Sequence, residues 1–176
     1  MAATRAYIRA TAPRCRTPAE VLSEVNRAHS RDSNKFVTLL MARIAEDPLS
    51  LIYASAGHNP GYLLNASGAV KAELSSTSMP LGIDPDADFE NAPKILLDPG
   101  DLIFLYTDGV VEAAAPDEDA FGVDRALEVV RRSRRQPTAE IVAALQSAVS
   151  AFTQTGVRQD DVTVVVLRVR DAVARS

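Results

Sequence analysis

Leu102-Ile103-Phe104-Leu105-Tyr106-Thr107-Asp108-Gly109-Val110-Val111-Glu112 is the stretch from which the rest of the chain is best read. Leu102 to Thr107 reads as a buried strand, apolar or aromatic up to its last residue. The run then breaks at a carboxylate followed by a glycine. A carboxylate at the mouth of a buried strand is held rigidly yet reaches solvent, which is what a metal ligand needs. Near the other end, Asp160-Asp161 stands immediately before a second apolar run that includes Val162, Val164, Val165, Val166 and Leu167. Oxygen-only donors of this kind favour hard divalent ions such as Mg²⁺ or Mn²⁺. Taken singly, Asp108-Gly109 reads first as a hairpin turn and Asp160-Asp161 as a plain strand start. Spacing alone leaves both alternatives open.

Outward from this strand the period changes. Lys94 to Leu97 precedes it across the turn Asp98-Pro99-Gly100-Asp101. Phe36 to Ile44, Leu49 to Ser55 and Gly61 to Leu64 are short apolar or β-branched runs. Glu46-Asp47-Pro48 and Asn65-Ala66-Ser67-Gly68 separate them with turn chemistry, and the first two runs predict an antiparallel hairpin. Residues 75–93 carry several Pro, Asp and Ser and read as a long surface connection. Residues 1–11 predict a helix. A second helix has a clear start, with Thr17 as cap, Pro18 at the first helical position and Glu20 as the capping-box acid. Its Val21, Leu22, Val25 and Ala28 fall at helical spacing. Gly122 to Arg135 and Pro137 to Gln154 predict two more helices. The closing run, Asp161 to Arg170, is too apolar for a strand wet on one face and predicts a central strand. Strands grouped between helix pairs indicate an α+β layered domain rather than a parallel α/β sheet.

Composition narrows the function classes. Of the 176 residues, 47% are hydrophobic and 24% charged, the balance of an ordinary globular domain. The formal net charge of -4 argues against a general nucleic-acid binder. No apolar run approaches the length needed to span a bilayer, so no membrane role is expected. Cys15 is the single cysteine, the first residues lack the apolar core of a signal peptide, and a cytoplasmic setting follows. Lysine occurs only at positions 35, 71 and 94 among many arginines, the bias of a GC-rich bacterial genome.

The order of motifs carries more than any one of them. Phe36-Val37-Thr38, Ala56-Gly57-His58-Asn59-Pro60, Pro80-Leu81-Gly82, Gly100-Asp101, Tyr106-Thr107-Asp108-Gly109-Val110-Val111-Glu112, Phe121-Gly122 and Asp160-Asp161-Val162-Thr163 follow one another along the chain. In that order they resemble the SpoIIE/RsbU branch of the metal-dependent (PPM, 2C-type) protein serine/threonine phosphatases. The resemblance implies a sandwich of two antiparallel sheets flanked by helices. It implies two Mn²⁺ or Mg²⁺ ions and hydrolysis of phosphoserine or phosphothreonine by a water that the metals activate. The metal residues it implies are Asp108, Gly109, Asp160 and Asp161, with Asp161 alternatively orienting a neighbouring ligand or water. The substrate it implies is a phosphorylated regulatory protein, typically an anti-sigma-factor antagonist in partner switching.

The family's early Gly-Asp and Asp-Val-Ser-Gly-His-Gly motifs do not occur, and residues 1–6 resemble the middle of its first helix. The expectation is therefore a partial phosphatase domain over 1–176, incomplete at the N-terminus, whose exposed sheet edges are a route to a homodimer. The rival expectation is a non-catalytic module of the same fold that binds a signalling partner. Outside the metal motifs, His58 reads as a loop histidine holding a turn, and His29 as a helix-end cation. Arg131, Arg132, Arg134 and Arg135 read as a solvated face at a helix C-terminus. Glu112 to Asp119 reads equally as a flap over substrate or as plain surface.

Overall fold

Helix propensity and capping set the first unit going. The computed structural model describes residues 2–33, 35–115, 120–153 and 161–170. Its chain divides into two compact units, Met1–Pro60 with Leu74–Leu97 and Gly61–Glu73 with Asp98–Ser176. In the first, α1 spans Ala2–Thr11 and α2 spans Pro18–Asp32. The Thr17 hydroxyl accepts the Glu20 amide at 3.3 Å, and the Glu20 carboxylate accepts the Arg16 amide at 2.7 Å. The capping box thus closes one residue earlier than its usual form, with two otherwise orphaned N–H groups satisfied. Val21, Leu22 and Val25 pack with Ala54, Ala56, Leu81 and Phe89 in one apolar cluster. Each fully buried Leu or Val there contributes about 1.5–3 kcal/mol.

The sheet of this unit has the order β1-β2-β5, from β1 (Leu39–Glu46), β2 (Leu49–Ala56) and β5 (Ile95–Leu96). The hairpin of β1 and β2 runs in register from Leu39 opposite Ala56 to Glu46 opposite Leu49. Phe36 lies outside the strand and is 67% exposed, so the strand begins later than its apolar run suggested. The segment 75–93 corrects a sequence expectation. It carries no helix or long strand, yet Leu81, Phe89 and Ala92 are buried, and it pairs with its own unit through Val37–Leu81 and Ala56–Ser78 bridges. Polar residues dominate its composition, and a few apolar anchors decide its path.

The second unit holds β3 (Gly61–Leu64), β4 (Val70–Leu74), β6 (Leu102–Tyr106) and β7 (Val164–Arg168) in the order β4-β3-β6-β7. The β3–β6 and β6–β7 pairs are antiparallel. Helices α3 (Asp108–Val111), α4 (Gly122–Ser133) and α5 (Thr138–Thr153) complete it. Leu102, Phe104 and Tyr106, alternate residues of β6, pack with Leu64, Val110, Phe121, Ala126, Leu127, Val130, Ile141 and Leu145. Ile103, on the opposite side of the strand, is also buried, which accounts for the unbroken apolar run.

The turn at 98–101 does join two strands, β5, which pairs with β2, and β6, which pairs with β3 and β7. One expectation fails in this unit. The last strand is not central. Among the described residues β7 pairs with β6 alone and stands at the sheet edge, with Val165 and Leu167 at 40% and 44% exposure. Val164 and Val166 face the core. Consecutive valines therefore report strand propensity here, not burial on both faces. With these corrections the fold is α+β, built of two antiparallel sheets with helices.

Candidate functional site

The chain leaves the sheet at Thr107, and hydrogen bonding explains how. Thr107 N–H donates to the Thr163 carbonyl at 3.0 Å, continuing the β6–β7 ladder by one step. The reciprocal ladder bond would use the Thr107 carbonyl. That carbonyl has already turned away to accept the Val110 amide at 3.0 Å as α3 begins. The Thr163 amide instead donates to the Thr107 hydroxyl at 2.9 Å, and the hydroxyl donates to the Asp161 carbonyl at 3.1 Å. The two segments that carry the candidate ligands are stitched together at this corner.

Asp108 is the first residue of α3 and is exposed, with its Oδ1 accepting the Gly109 amide at 3.0 Å. Gly109 is buried. A Cβ added there would lie 2.5 Å from the Asp161 carbonyl oxygen, so only glycine lets the two backbones approach this closely. The Asp108-Gly109 pair thus opens a short helix rather than a hairpin turn. Asp161 is exposed beside it, and Asp160 lies outside the described residues. The structure brings Asp108, Gly109 and Asp161 together. Carboxylate and carbonyl oxygens held this way fit a hard divalent ion in kind. Among the described residues no group of three His, Cys, Asp or Glu side chains is placed to hold a metal.

Beneath this corner the β6 side chains are dry. Phe104 stacks on Tyr106 with ring centroids 5.0 Å apart, and Tyr62 lies parallel to Tyr106 at 6.5 Å. Burial raises the Tyr106 hydroxyl well above its ordinary pKa, so it stays neutral and donates, with no role as an anion.

The remaining candidates fall into structural roles. A ring nitrogen of His58, Nδ1, lies 2.9 Å from the Asn59 carbonyl in the turn after β2. His29 is buried near the end of α2, with Nε2 2.6 Å from the Lys35 carbonyl. The arginine cluster is engaged rather than merely solvated. Arg131 and Arg134 donate to the Gly68 and Ala66 carbonyls at 3.2 and 3.4 Å, clamping the β3–β4 turn. Arg132 pairs with Glu128. Of the acidic stretch 112–119, residues 116–119 lie outside the described residues.

Residues 1–170 match the family described as Stage II sporulation protein E (SpoIIE). The chain belongs to the SpoIIE family. Two curated relatives of this SpoIIE-family chain are Protein IcfG of Synechocystis sp., 30% identical over 136 residues, and Phosphoserine phosphatase RsbU of Bacillus subtilis, 34% identical over 97. The matches cover 77% and 54% of this chain but only 21% and 29% of those proteins. Among solved structures, the SiaA-PP2C domain of Pseudomonas aeruginosa superposes with a TM-score of 0.83 at 24% identity, covering 95% of this chain and 68% of that one. The SpoIIE phosphatase domain of Bacillus subtilis, solved after a Mn presoak, gives 0.62 at 21% identity over 98% of this chain and 76% of that one. Such likeness establishes the PP2C-type fold for the SpoIIE-family chain. The bonds of Thr107 that join the two candidate segments could not be read from the sequence, since its partners Asp161 and Thr163 lie 54 and 56 positions away.

Proposed function

We propose that residues 1–176 are part of a PPM-type phosphatase domain that hydrolyses phosphoserine or phosphothreonine on a regulatory protein, using Mn²⁺ or Mg²⁺. The observation that carries this is the corner where Asp108 leaves a buried strand and is tied, through Thr107 and Gly109, to Asp161. Membership of the SpoIIE family and the phosphoserine phosphatase activity named for RsbU support it. Asp108 and Asp161 would hold metal, with Asp160 joining them and Gly109 letting the segments approach. Two such ions supply a lowered pKa for the attacking water and neutralise charge on the phosphoryl group. The residues of this chain keep the carboxylates in fixed positions on a dry floor, so that little reorganisation accompanies metal binding.

For the substrate we favour a phosphorylated anti-sigma-factor antagonist, in the bacterial cytoplasm, with the exposed strand edges a route to a homodimer. None of the described helices is long and apolar enough to cross a membrane. The test is Mn²⁺-dependent phosphate release from a phosphoserine protein by this chain, with Asp108→Ala as control. Release that needs both Mn²⁺ and Asp108 is the expected result. A folded sample with no release, on any phosphoprotein tried, would overturn the catalytic reading for this chain and favour the non-catalytic partner-binding module.

A further inference from the structure

The geometry points to Thr107 as a positioning residue for the metal carboxylates, acting by completing the sheet with its side chain where its backbone cannot. This rests on the proposed phosphatase reading of the same corner. The ladder logic is specific. One step beyond the last pair of β6 and β7, one backbone bond is made, from the Thr107 amide to the Thr163 carbonyl. The second is lost because the Thr107 carbonyl serves Val110. A hydroxyl has one proton to give and lone pairs to receive. Thr107 uses both functions, accepting from the Thr163 amide at 2.9 Å and donating to the Asp161 carbonyl at 3.1 Å.

The consequence is geometric. Asp108 can begin a helix immediately after the strand without the neighbouring strand start peeling away. The Asp161 carbonyl accepts the Thr107 hydroxyl, and the missing Cβ of Gly109 leaves room for that carbonyl to lie close against α3. The backbone of Asp161 is thereby fixed against that of Asp108, and a pair of metal ligands has its separation set before any ion arrives. Groups that hold ligands in place typically change metal affinity by about 10–100-fold when removed. A valine fills the same volume as threonine but offers neither bond, whereas a serine offers both.

The test compares wild-type chain, Thr107→Val and Thr107→Ser in two measurements. The first is Mn²⁺ affinity, read from the electron-spin signal of free Mn²⁺ during titration. Thr107→Val should bind roughly 10–100-fold more weakly and Thr107→Ser close to wild type. The second is amide hydrogen exchange without metal. In Thr107→Val the Thr163 amide should lose its protection while the amides of Leu105 and Val165, the next hydrogen-bonded pair of the ladder, keep theirs, and Thr107→Ser should retain it. Equal Mn²⁺ affinity in wild type and Thr107→Val overturns the inference. So does an unchanged Thr163 amide, whatever the metal result. If the wild-type chain binds no Mn²⁺, the proposed function has failed for this chain and exchange alone decides: a Thr163 amide exposed only in Thr107→Val upholds the clamp.

Discussion

β6 begins just after one aspartate and ends just before another, and the fold treats the two oppositely. Asp101, at the entrance, is 1% exposed. Its Oδ2 accepts the Asp98 amide at 2.9 Å and the Lys71 ammonium at 2.7 Å, while Lys71 also reaches Asp98 at 2.6 Å. Asp108, at the exit, is exposed, and among the described residues no lysine or arginine pairs with it. A buried carboxylate without a cation costs several kcal/mol, so the entrance charge is neutralised within the protein. The exit charge is held in place but not neutralised. The same residue type on the same strand thus serves the fold at one end and is available for chemistry at the other.

The largest effect that would separate the two ends is on turnover. Asp108→Ala should abolish Mn²⁺-dependent phosphate release while leaving the thermal unfolding midpoint nearly unchanged. A large drop in that midpoint would make the exit aspartate structural as well. Lys71→Met should act the other way, destabilising the chain by about 3 kcal/mol in urea titration because it strands Asp101 without its cation. Its pH dependence has a definite sign. Burial alone would lower the Lys71 pKa, but hydrogen bonds to Asp101 and Asp98 outweigh it and raise the pKa above 10.5. The stabilisation is therefore complete below that pH and disappears as pH climbs through the raised value. Wild type and Lys71→Met should converge in stability there, and parallel curves would deny the pair its role.

Gly109→Ala probes the exit by crowding, and about 2 kcal/mol of lost stability is expected as the Asp161 carbonyl is forced aside. Mn²⁺ affinity should fall with it, and a stable variant with intact affinity would show that the close approach is dispensable. The smallest effect expected is from Asp101→Asn, about 1 kcal/mol, since the amide oxygen still accepts from Asp98 and a neutral side chain tolerates burial better.

Much of the fold was legible in the sequence, and the part that was not has a physical cause. α2 could be read from Thr17, Pro18 and Glu20 because caps are local. β6 could be read because a run buried on both faces has no polar interruption. β4 escaped notice because Val-Lys-Ala-Glu-Leu has weak strand propensity and becomes a strand by pairing in the sheet. β7 was misplaced because apolar composition does not say which strand forms the edge. Of the candidate site, Asp108 was singled out from its place after β6, and the segment beside it from motif order. The Thr107 bonds were invisible, since nothing nearby in sequence tells a threonine which carbonyl will face it across a sheet.

The arginine corner carries a consequence for ionic strength. Arg131 and Arg134 direct their guanidinium groups to main-chain carbonyls, as does Arg168 toward Arg134 and Gln136. Their acceptors are neutral, so dissolved salt weakens these bonds little, yet it screens the mutual repulsion of the cations gathered there. Concentrated electrolyte should tighten this seam of the second unit even as it loosens Lys71 from Asp98. A brine that erodes one corner of the same sheet consolidates the other.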